Sequence, residues 1–352
     1  MDETKPLLEN KIKTLKKNLI RKKIFPISTV LLLLILIGLC LTYGNQLRTI
    51  FSFSKVGDEP LYVMTYYGDY GFDIFLKTGI YPIKPALLER KDGPWACSVF
   101  SARDELGNPL LGRNYDWFHR SAILLFTHPP KGYRSVSLLD PSNCGFLPPD
   151  YTPASFFDRT KLMEAPWMPL DGMNECGLAI GLMAVPDAEG SHDLHKMNIN
   201  EVDVIRLVLD HAKDVTEAIA LIKKYNVVFA HNPVHYLIAD ASGHSAVIEF
   251  VKGQVKVIQD SEAWQVSTNF QIYSAKDGAL LCNRYATATQ TLKNTNGVIS
   301  DDGAMKLLKD ISQPITMWSA VYNLLTGDIQ VRMGFEPSHF SQVKKFQLKM
   351  KP

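Results

Sequence analysis

The longest apolar run of the chain lies near its N-terminus. No residue from Ile24 to Leu47 is charged, and the centre of this run, Val30 to Leu41, consists mostly of leucine and isoleucine. This length matches the roughly 20 apolar residues that a helix needs to cross a bilayer. We therefore predict a transmembrane helix over residues 24–47.

The charges around this run predict its orientation. Seven basic residues lie within residues 11–23, directly before the run, and only Arg48 follows closely; the seven are Lys11, Lys13, Lys16, Lys17, Arg21, Lys22 and Lys23. By the positive-inside rule, residues 1–23 form a cytoplasmic tail and the rest of the chain lies outside the cytoplasm. No Ala-x-Ala-like cleavage site follows the run, which favours an uncleaved signal anchor over a secretory signal peptide. We therefore expect a single-pass membrane protein.

Two short strand-like runs further along the chain predict a β-hairpin. The first run is Cys97 to Ala102 and the second is Leu110 to Tyr115, and the residues Gly107-Asn108-Pro109 between them are typical of a turn. Antiparallel pairing of the two runs would bring Arg113 and Asp116 close to Cys97.

The remaining pattern alternates between helical and strand periods. Helical spacing of apolar residues predicts helices over residues 202–212 and 215–222, and further helices are expected over 282–292 and 301–309. Strands are expected over 235–240, 245–251, 254–258, 264–269, 317–325 and 329–333, and we expect the first four to form an antiparallel meander. Two sheets covered by helices give an α+β fold with four layers in the order αββα.

Length and composition are consistent with one large domain behind a short anchor. The chain has 352 residues and a formal net charge of +2, and its basic residues concentrate in the N-terminal tail and the last stretch. This distribution argues against a nucleic-acid surface on the main domain. Residues 48–96 are rich in aromatic side chains and too apolar for a free linker, so we interpret them as a propeptide lobe. The expected domain from residue 97 to residue 352 carries the chemistry.

Cys97 is the candidate nucleophile of that domain. A thiolate is the reactive form of cysteine, and a neighbouring cation favours it; Arg113 is the nearest candidate. The residues after Cys97 show no helical period, unlike those after the cysteine of a papain-like enzyme. Any base must therefore come from elsewhere. Without its neighbouring motifs, a lone cysteine of this kind would more often be a small buried apolar residue.

Four motifs accompany Cys97 in a fixed order. They are Gly112-Arg-Asn-Tyr-Asp116, Asp171-Gly-Met-Asn-Glu-Cys-Gly-Leu178, Ser267-Thr-Asn269 and Asn283-Arg-Tyr285. From Cys97 onward the chain resembles the choloylglycine hydrolase and penicillin V acylase branch of the N-terminal nucleophile (Ntn) hydrolases, together with their acyltransferase (peptidase C45) relatives. In that superfamily, cleavage before the nucleophile frees an α-amine that acts as the base. The resemblance also implies the αββα sandwich.

The resemblance implies a role for each matching residue. Cys97 would be the nucleophile after cleavage of the bond between Ala96 and Cys97, Arg113 would position it, and Asp116 would hold the new α-amine. Asn269 would donate to the oxyanion, and Arg284 would be a second active-site arginine. The resemblance also implies a second oxyanion donor, a backbone N–H near Met183 or Ala184. Asn174 is a further candidate for the oxyanion site, although its position before an apolar run favours a structural role as the cap of a turn.

The sequence therefore predicts a membrane-anchored, self-processing hydrolase of linear amide bonds in small N-acyl compounds. We expect no cofactor and no metal, because the histidines show no ligand spacing beyond His192 and His195. Acyl transfer by the same fold, a non-catalytic membrane-tethered binding protein, and a cysteine protease with a histidine partner are the alternatives. The sequence leaves open the acyl amide, any disulfide and the oligomeric state.

Overall fold

The computed structural model describes residues 13, 14, 17, 38, 43–82, 96–118, 121–146, 155–259, 262–275, 282–334 and 341–351. The chain divides into two units, residues 1–48 and 49–352. The described residues of the first unit are helical. Within the described part of the chain, no helix is both long and apolar enough to span a membrane. The predicted transmembrane segment, residues 24–47, lies mostly outside the described residues, as do residues 83–95 of the predicted propeptide lobe.

The second unit is built on two large β-sheets and a small one. Its strands are β1 (Ser54–Lys55), β2 (Leu61–Tyr66), β3 (Cys97–Arg103), β4 (Pro109–Asp116), β5 (Ala122–Thr127), β6 (Ser135–Leu139), β7 (Asp171–Asn174), β8 (Ala179–Ala184), β9 (Asn198–Asn200), β10 (Asn226–Val228), β11 (Val234–Ala239), β12 (Ser245–Val251), β13 (Gln254–Ile258), β14 (Gln265–Ser267), β15 (Thr316–Asn323), β16 (Asp328–Met333) and β17 (Lys344–Gln347). The nine-stranded sheet has the order β1-β2-β5-β6-β7-β8-β11-β12-β13, and the six-stranded sheet has the order β14-β3-β4-β15-β16-β17. Strands β9 and β10 form a separate parallel pair.

Helices cover the outer face of each large sheet. Besides the helical residues 49–52, this unit has the described helices α1 (Phe72–Thr78), α2 (Phe156–Arg159), α3 (Glu201–His211), α4 (Val215–Ile222), α5 (Asn283–Asn294) and α6 (Asp301–Asp310), with 3-10 turns at Pro141–Cys144 and Thr160–Trp167. Helices α3 and α4 pack on the nine-stranded sheet, whereas α5 and α6 pack on the six-stranded sheet. The sheets face each other where β8 and β11 meet β3 and β4. This is the predicted four-layer αββα arrangement.

The central strands are nearly continuous in their burial because both of their faces are covered. Every residue of β4, β8 and β11 is buried, which explains why these strands lack the alternation of a half-exposed sheet.

The helices start where the sequence offers caps. The side chain of Asn200 accepts from the backbone N–H groups of Val202 and Asp203, and the Asp203 carboxylate accepts from the backbone N–H of Asn200. At the start of α4 the Asp214 side chain accepts from the Glu217 backbone N–H, and at the start of α6 the Ser300 side chain accepts from that of Gly303.

The predicted hairpin is present as β3 and β4. Cys97 pairs with Tyr115 and Val99 pairs with Arg113. Gly107 has a φ of +86° in the connecting turn, a conformation that glycine adopts without strain. The structure differs from the prediction only at the strand ends, since β4 begins at Pro109 rather than after it.

One strand lies in a different sheet from the one that we predicted. Strands β11, β12 and β13 form the expected antiparallel meander, but β14 leaves it and pairs with β3. The prediction of a four-strand meander is therefore wrong. The physical reason is that an apolar run specifies a buried strand without specifying its neighbour. The change of sheet carries the end of β14 towards Cys97.

Candidate active site

Cys97 occupies the first position of β3. Its side chain is buried, with 4% of the residue exposed. In the uncut chain its backbone N–H donates to Asn269 Oδ1 over 2.7 Å. Its carbonyl oxygen accepts from Arg284 Nη1. Both peptide groups of the candidate nucleophile are thus held by other predicted site residues.

Asn269 and Arg284 form the second part of the site. Arg284, from the first turn of α5, donates through Nη1 to Ser98 Oγ over 2.9 Å and through Nη2 to Asn269 Oδ1 over 2.9 Å. Asn269, which follows β14, donates through Nδ2 to the carbonyl oxygen of Ala184 over 2.8 Å. These bonds join a helix, a strand end and β8 around Cys97.

Arg113 lies on the neighbouring strand and is fully buried. Its Nε is 2.6 Å from Asp171 Oδ2, and its Nη1 donates to the carbonyl oxygen of Leu182. Asp171 also accepts from Trp318 Nε1 and from the Tyr322 hydroxyl. The guanidinium is therefore held between Asp171 and the carbonyl of Leu182, and its Nη2 donors have no partner among the described residues.

Asp116 ends β4 and is fully buried. Its Oδ1 accepts from Thr316 Oγ1 over 2.5 Å, whereas its Oδ2 has no hydrogen-bond partner in the described part of the chain. Burial raises the pKa of Asp116 from 3.8 to about 7, against the lowering effects of Thr316, Arg284 and Arg113. The carboxyl thus changes charge close to neutral pH and keeps one oxygen free.

The thiol of Cys97 is more strongly affected by burial than by its cations. Burial raises the pKa of Cys97, while Arg113, a backbone hydrogen bond from Asp116 and Arg284 act in the lowering direction. The expected effect of Arg113 is present, but desolvation outweighs it. The neutral thiol is the favoured form in the uncut chain, so a nucleophilic thiolate needs a base.

The less firmly placed candidates have separate surroundings. Asn174 donates through Nδ2 to the carbonyl oxygens of Leu209 and Ala212 and accepts from backbone N–H groups in the turn that follows it. These bonds fit the structural, turn-capping role. Met183 is buried within β8, Ala184 supplies the carbonyl that orients Asn269, and Ala96 is nearly buried just before β3. Their parts in the oxyanion site and in self-cleavage stay predictions.

Three residues of the site were not predicted. Asp171, the ion-pair partner of Arg113, opens the motif of residues 171–178, so the motif itself was the available signal. Ser98 directly follows the nucleophile and contacts Arg284. Thr316 lies 200 positions after Asp116, and no local pattern in the sequence connects the two residues.

Histidines and metal ligands do not surround the thiol. Within the described residues, no hydrogen bond of Cys97 involves a histidine, and no group of histidine, cysteine and carboxylate side chains has the arrangement of a metal site. His119 lies outside the described residues, and His128 is exposed. The four cysteines of the described chain, Cys97, Cys144, Cys176 and Cys282, are free thiols.

Comparison with known proteins places this site in a family. The family model of the linear amide C-N hydrolases, choloylglycine hydrolase family, matches residues 97–292, which is more than half of the chain. The chain belongs to this family. The match begins at Cys97 and includes the predicted residues of the site. The match establishes the family and does not specify a substrate.

Individual relatives agree with this assignment. Penicillin V acylase of Pectobacterium atrosepticum is 28% identical over 194 residues, which cover 50% of this chain and 48% of that protein. An uncharacterised protein of Archaeoglobus fulgidus is 26% identical over 233 residues, covering 61% of this chain and 34% of that protein. The chain thus spans about half or less of the length of these relatives.

Solved structures show the same fold. A variant of the conjugated bile acid hydrolase from Clostridium perfringens superposes with a TM-score of 0.51 at 16% identity, covering 72% of this chain and 98% of that one. Penicillin V acylase from Agrobacterium tumefaciens gives a TM-score of 0.50 at 17% identity, covering 72% and 86%. At this identity the likeness establishes the Ntn-hydrolase α+β fold alone.

Proposed function

We propose that this protein hydrolyses linear amide bonds in N-acyl compounds, with Cys97 as an N-terminal nucleophile produced by self-cleavage. The observation that carries the proposal is the hydrogen-bonded group around one buried thiol, in which Asn269 and Arg284 hold both peptide groups of Cys97. A purely structural cysteine has no use for two arginines and an unpartnered carboxylate oxygen in its surroundings.

Self-cleavage would convert the uncut site into the active one. The Cys97 sulfur attacks the carbonyl carbon of Ala96, the amide bond breaks, and the nitrogen of Cys97 leaves as an amine. Water then hydrolyses the resulting thioester and frees the thiol. The new amine keeps the position that the peptide N–H has now, 2.7 Å from Asn269 Oδ1. Asp116 Oδ2, which has no partner in the described structure, is suited to accept a hydrogen bond from that amine.

Amide hydrolysis would then follow in two steps. The α-amine takes the proton of the Cys97 thiol, and the thiolate attacks the carbonyl carbon of the substrate amide. The oxyanion of the tetrahedral intermediate accepts hydrogen bonds from Asn269 Nδ2 and from a backbone N–H. The intermediate collapses to a thioester, and the leaving amine takes the proton back. Water, deprotonated by the α-amine, releases the acid and restores the thiol. A side-chain donor to the oxyanion, such as Asn269 Nδ2, typically lowers the activation barrier by about 3 kcal/mol.

The substrate class follows from the family and stays part of the proposal. Candidate substrates are N-acyl amino acids or amines, β-lactam side-chain amides and conjugated bile acids, each of which joins an apolar acyl group to a polar amine. Penicillin V acylase and conjugated bile acid hydrolase, the names of the relatives, correspond to two of these classes. We further propose that a signal anchor over residues 24–47 holds the catalytic domain on the extracytoplasmic side of a membrane.

The test combines processing with turnover. We would express the full chain, determine its intact mass and N-terminal sequence, and assay the candidate amides. Wild type should yield a fragment that begins at Cys97 and should hydrolyse at least one class, whereas Cys97→Ala should do neither. Cys176→Ala removes another free, half-buried thiol and serves as the matched control, with activity retained. Turnover by Cys97→Ala would refute the proposal.

A further inference from the structure

The segment that carries Asn269 has little regular structure of its own. We call residues 267–273 the Asn269 loop; only its first residue belongs to a strand, β14. An oxyanion donor must be held within a fraction of an ångström to be effective. The elements that hold this loop in place are therefore part of how the site works.

A buried pair of side chains in the nine-stranded sheet holds the loop on both sides of Asn269. Glu249, on β12, accepts from the backbone N–H of Ile272 over 2.6 Å and from that of Tyr273 over 3.0 Å. His235, on β11, has its Nε2 2.6 Å from the carbonyl oxygen of Thr268. Both side chains are essentially inaccessible to solvent. The loop is thus fixed immediately before Asn269 and again three residues after it.

The two side chains are also bonded to each other. His235 Nδ1 lies 3.1 Å from Glu249 Oε1. The carbonyl of Thr268 can only accept a hydrogen bond, so Nε2 donates to it, and Nδ1 faces Glu249. Ser267 Oγ, at 3.1 Å from Nε2, adds a further contact with the loop.

A gain in stability does not by itself explain such a pair. For a buried ion pair, the free energy needed to remove the charged groups from water is about as large as the free energy gained from their attraction. Apolar residues of similar volume often stabilise the fold equally well. What apolar residues cannot supply is directional bonds to a loop backbone. Among the described residues, every side-chain hydrogen bond that leaves the pair goes to the Asn269 loop.

We propose that the buried Glu249–His235 pair positions Asn269 as the oxyanion donor of the amide hydrolase. The inference rests on the proposed function and extends it to two positioning residues that do not touch the reacting atoms. Asn269 then receives its backbone position from the pair and its side-chain orientation from Arg284 and the carbonyl of Ala184.

The protein contains a matched control for this arrangement. Glu201 accepts from the backbone N–H groups of Ala230 and His231 and from His231 Nδ1, at 2.7 to 2.9 Å. Both Glu201 and Glu249 therefore hold a histidine ring and two backbone N–H groups. In the described structure, the loop that Glu201 holds, residues 230–231, makes no hydrogen bond to Cys97 or Asn269. Loss of Glu201 tests the general effect of removing a buried histidine–carboxylate pair.

The experiment measures kcat and KM for each processed enzyme. Glu249→Gln keeps the shape of the side chain but places an N–H group where only acceptors fit, and His235→Gln removes the imidazole ring that contacts both Thr268 and Glu249. Each variant should lower kcat roughly 10- to 100-fold and leave KM within about twofold, because an oxyanion donor acts in the transition state. Glu201→Gln should leave both constants close to wild type. The fraction of chains beginning at Cys97 and the melting temperature are measured for every sample.

A double variant separates positioning from general support. If the pair acts through Asn269, then Glu249→Gln combined with Asn269→Ala should be no slower than Asn269→Ala alone. An independent, additive loss would overturn the inference, and so would equal losses of kcat in Glu249→Gln and Glu201→Gln. If the wild type shows Cys97-dependent turnover and Glu249→Gln has an unchanged kcat, the positioning inference is overturned and the proposed function stands. A wild type without Cys97-dependent turnover would overturn the proposed function together with it. If Glu249→Gln does not fold, His235→Gln decides the question.

Discussion

The carboxyl of Asp116 is ionised only at a cost in the uncut chain. Burial raises its pKa from 3.8 to about 7, while an unfolded chain ionises near the ordinary value of about 3.9. Between these values the folded chain binds one more proton than the unfolded chain. The stabilisation that this proton gives is fully present below about pH 4 and is lost as the pH rises towards 7.

Replacing Asp116 by asparagine should therefore change stability in a pH-dependent way. In a Cys97→Ala background, which keeps the chain uncut, Asp116→Asn should raise the melting temperature relative to its parent at pH 8 and have little effect at pH 4. The upper limit of the gain is roughly 4 kcal/mol, at about 1.4 kcal/mol for each pH unit. Asp58→Asn, at an exposed position, is the control. A gain that is the same at both pH values would contradict this account.

Asp171 balances the most deeply buried cation of the site. It is 2.6 Å from Arg113 Nε, and both side chains are fully inaccessible to solvent. Removing one partner of such a pair leaves an unpaired buried charge and typically costs about 3–5 kcal/mol. Asp171→Ala should lower the free energy of unfolding by that amount in urea titrations.

The exposed pair of Lys306 and Asp310 provides the comparison for Asp171. Its nitrogen and oxygen are 2.9 Å apart, and its side chains are 75% and 46% exposed. Solvent screens a pair of this kind, so Asp310→Ala should change stability by no more than about 1 kcal/mol. Equal losses of unfolding free energy in Asp171→Ala and Asp310→Ala would show that burial of the Arg113–Asp171 pair does not increase its contribution to stability.

At the scale of elements, the close packing of β3 against β4 depends on a glycine. A Cβ atom added at Gly112 would collide with the ring of Phe100, its cross-strand partner. Gly112→Ala should therefore destabilise the protein by about 1–3 kcal/mol through overpacking. Phe100→Leu removes the ring, so the double variant should lose less free energy of unfolding than the two single variants lose together. Additive effects in urea unfolding would rule out this contact as the cause.

Local pattern was enough to predict the elements that lie close together in sequence. The hairpin, the helices α3 to α6 and most strand bounds follow from apolar spacing and turn residues, and the predicted nucleophile, arginine and carboxylate of β3 and β4 lie where pairing places them. The strand neighbours of β14 and the contact between Asp116 and Thr316 could not be predicted. Those contacts join distant parts of the chain, and alternation specifies which face of a strand is buried without naming its partner.

At the scale of the whole molecule, residues 49–82 are part of the fold on which the catalytic site is built. Strand β2 pairs in parallel with β5 inside the nine-stranded sheet. The Tyr70 hydroxyl donates to Asp210 Oδ2 over 2.6 Å, and the Tyr81 hydroxyl donates to Asp203 Oδ2 over 2.6 Å. Phe72 and Phe75 are fully buried and pack on Trp167. Cutting the chain before Cys97 would break none of these contacts.

We therefore expect the two fragments of the self-cleaved protein to stay together. After cleavage, the N-terminal fragment and the fragment beginning at Cys97 should elute as one species in native size-exclusion chromatography and separate only in denaturant. The parallel pairing of β2 with β5 and the buried aromatic residues of α1 would have to be undone to release either fragment, which amounts to unfolding one edge of the main core. Cys97→Ala, as an uncut chain, is the control for both elution and migration.

The same packing determines where the enzyme remains in a cell that processes it. If the predicted anchor over residues 24–47 spans the membrane, the catalytic fragment should sediment with membranes although no covalent bond connects it to the anchor. A high-salt wash should leave it bound, since the contacts are a sheet edge and buried aromatic rings rather than surface ion pairs. Urea should release the fragment that begins at Cys97 and leave the N-terminal fragment behind. Recovery of the processed fragment in the medium without denaturant would show that the pairing of β2 does not retain it.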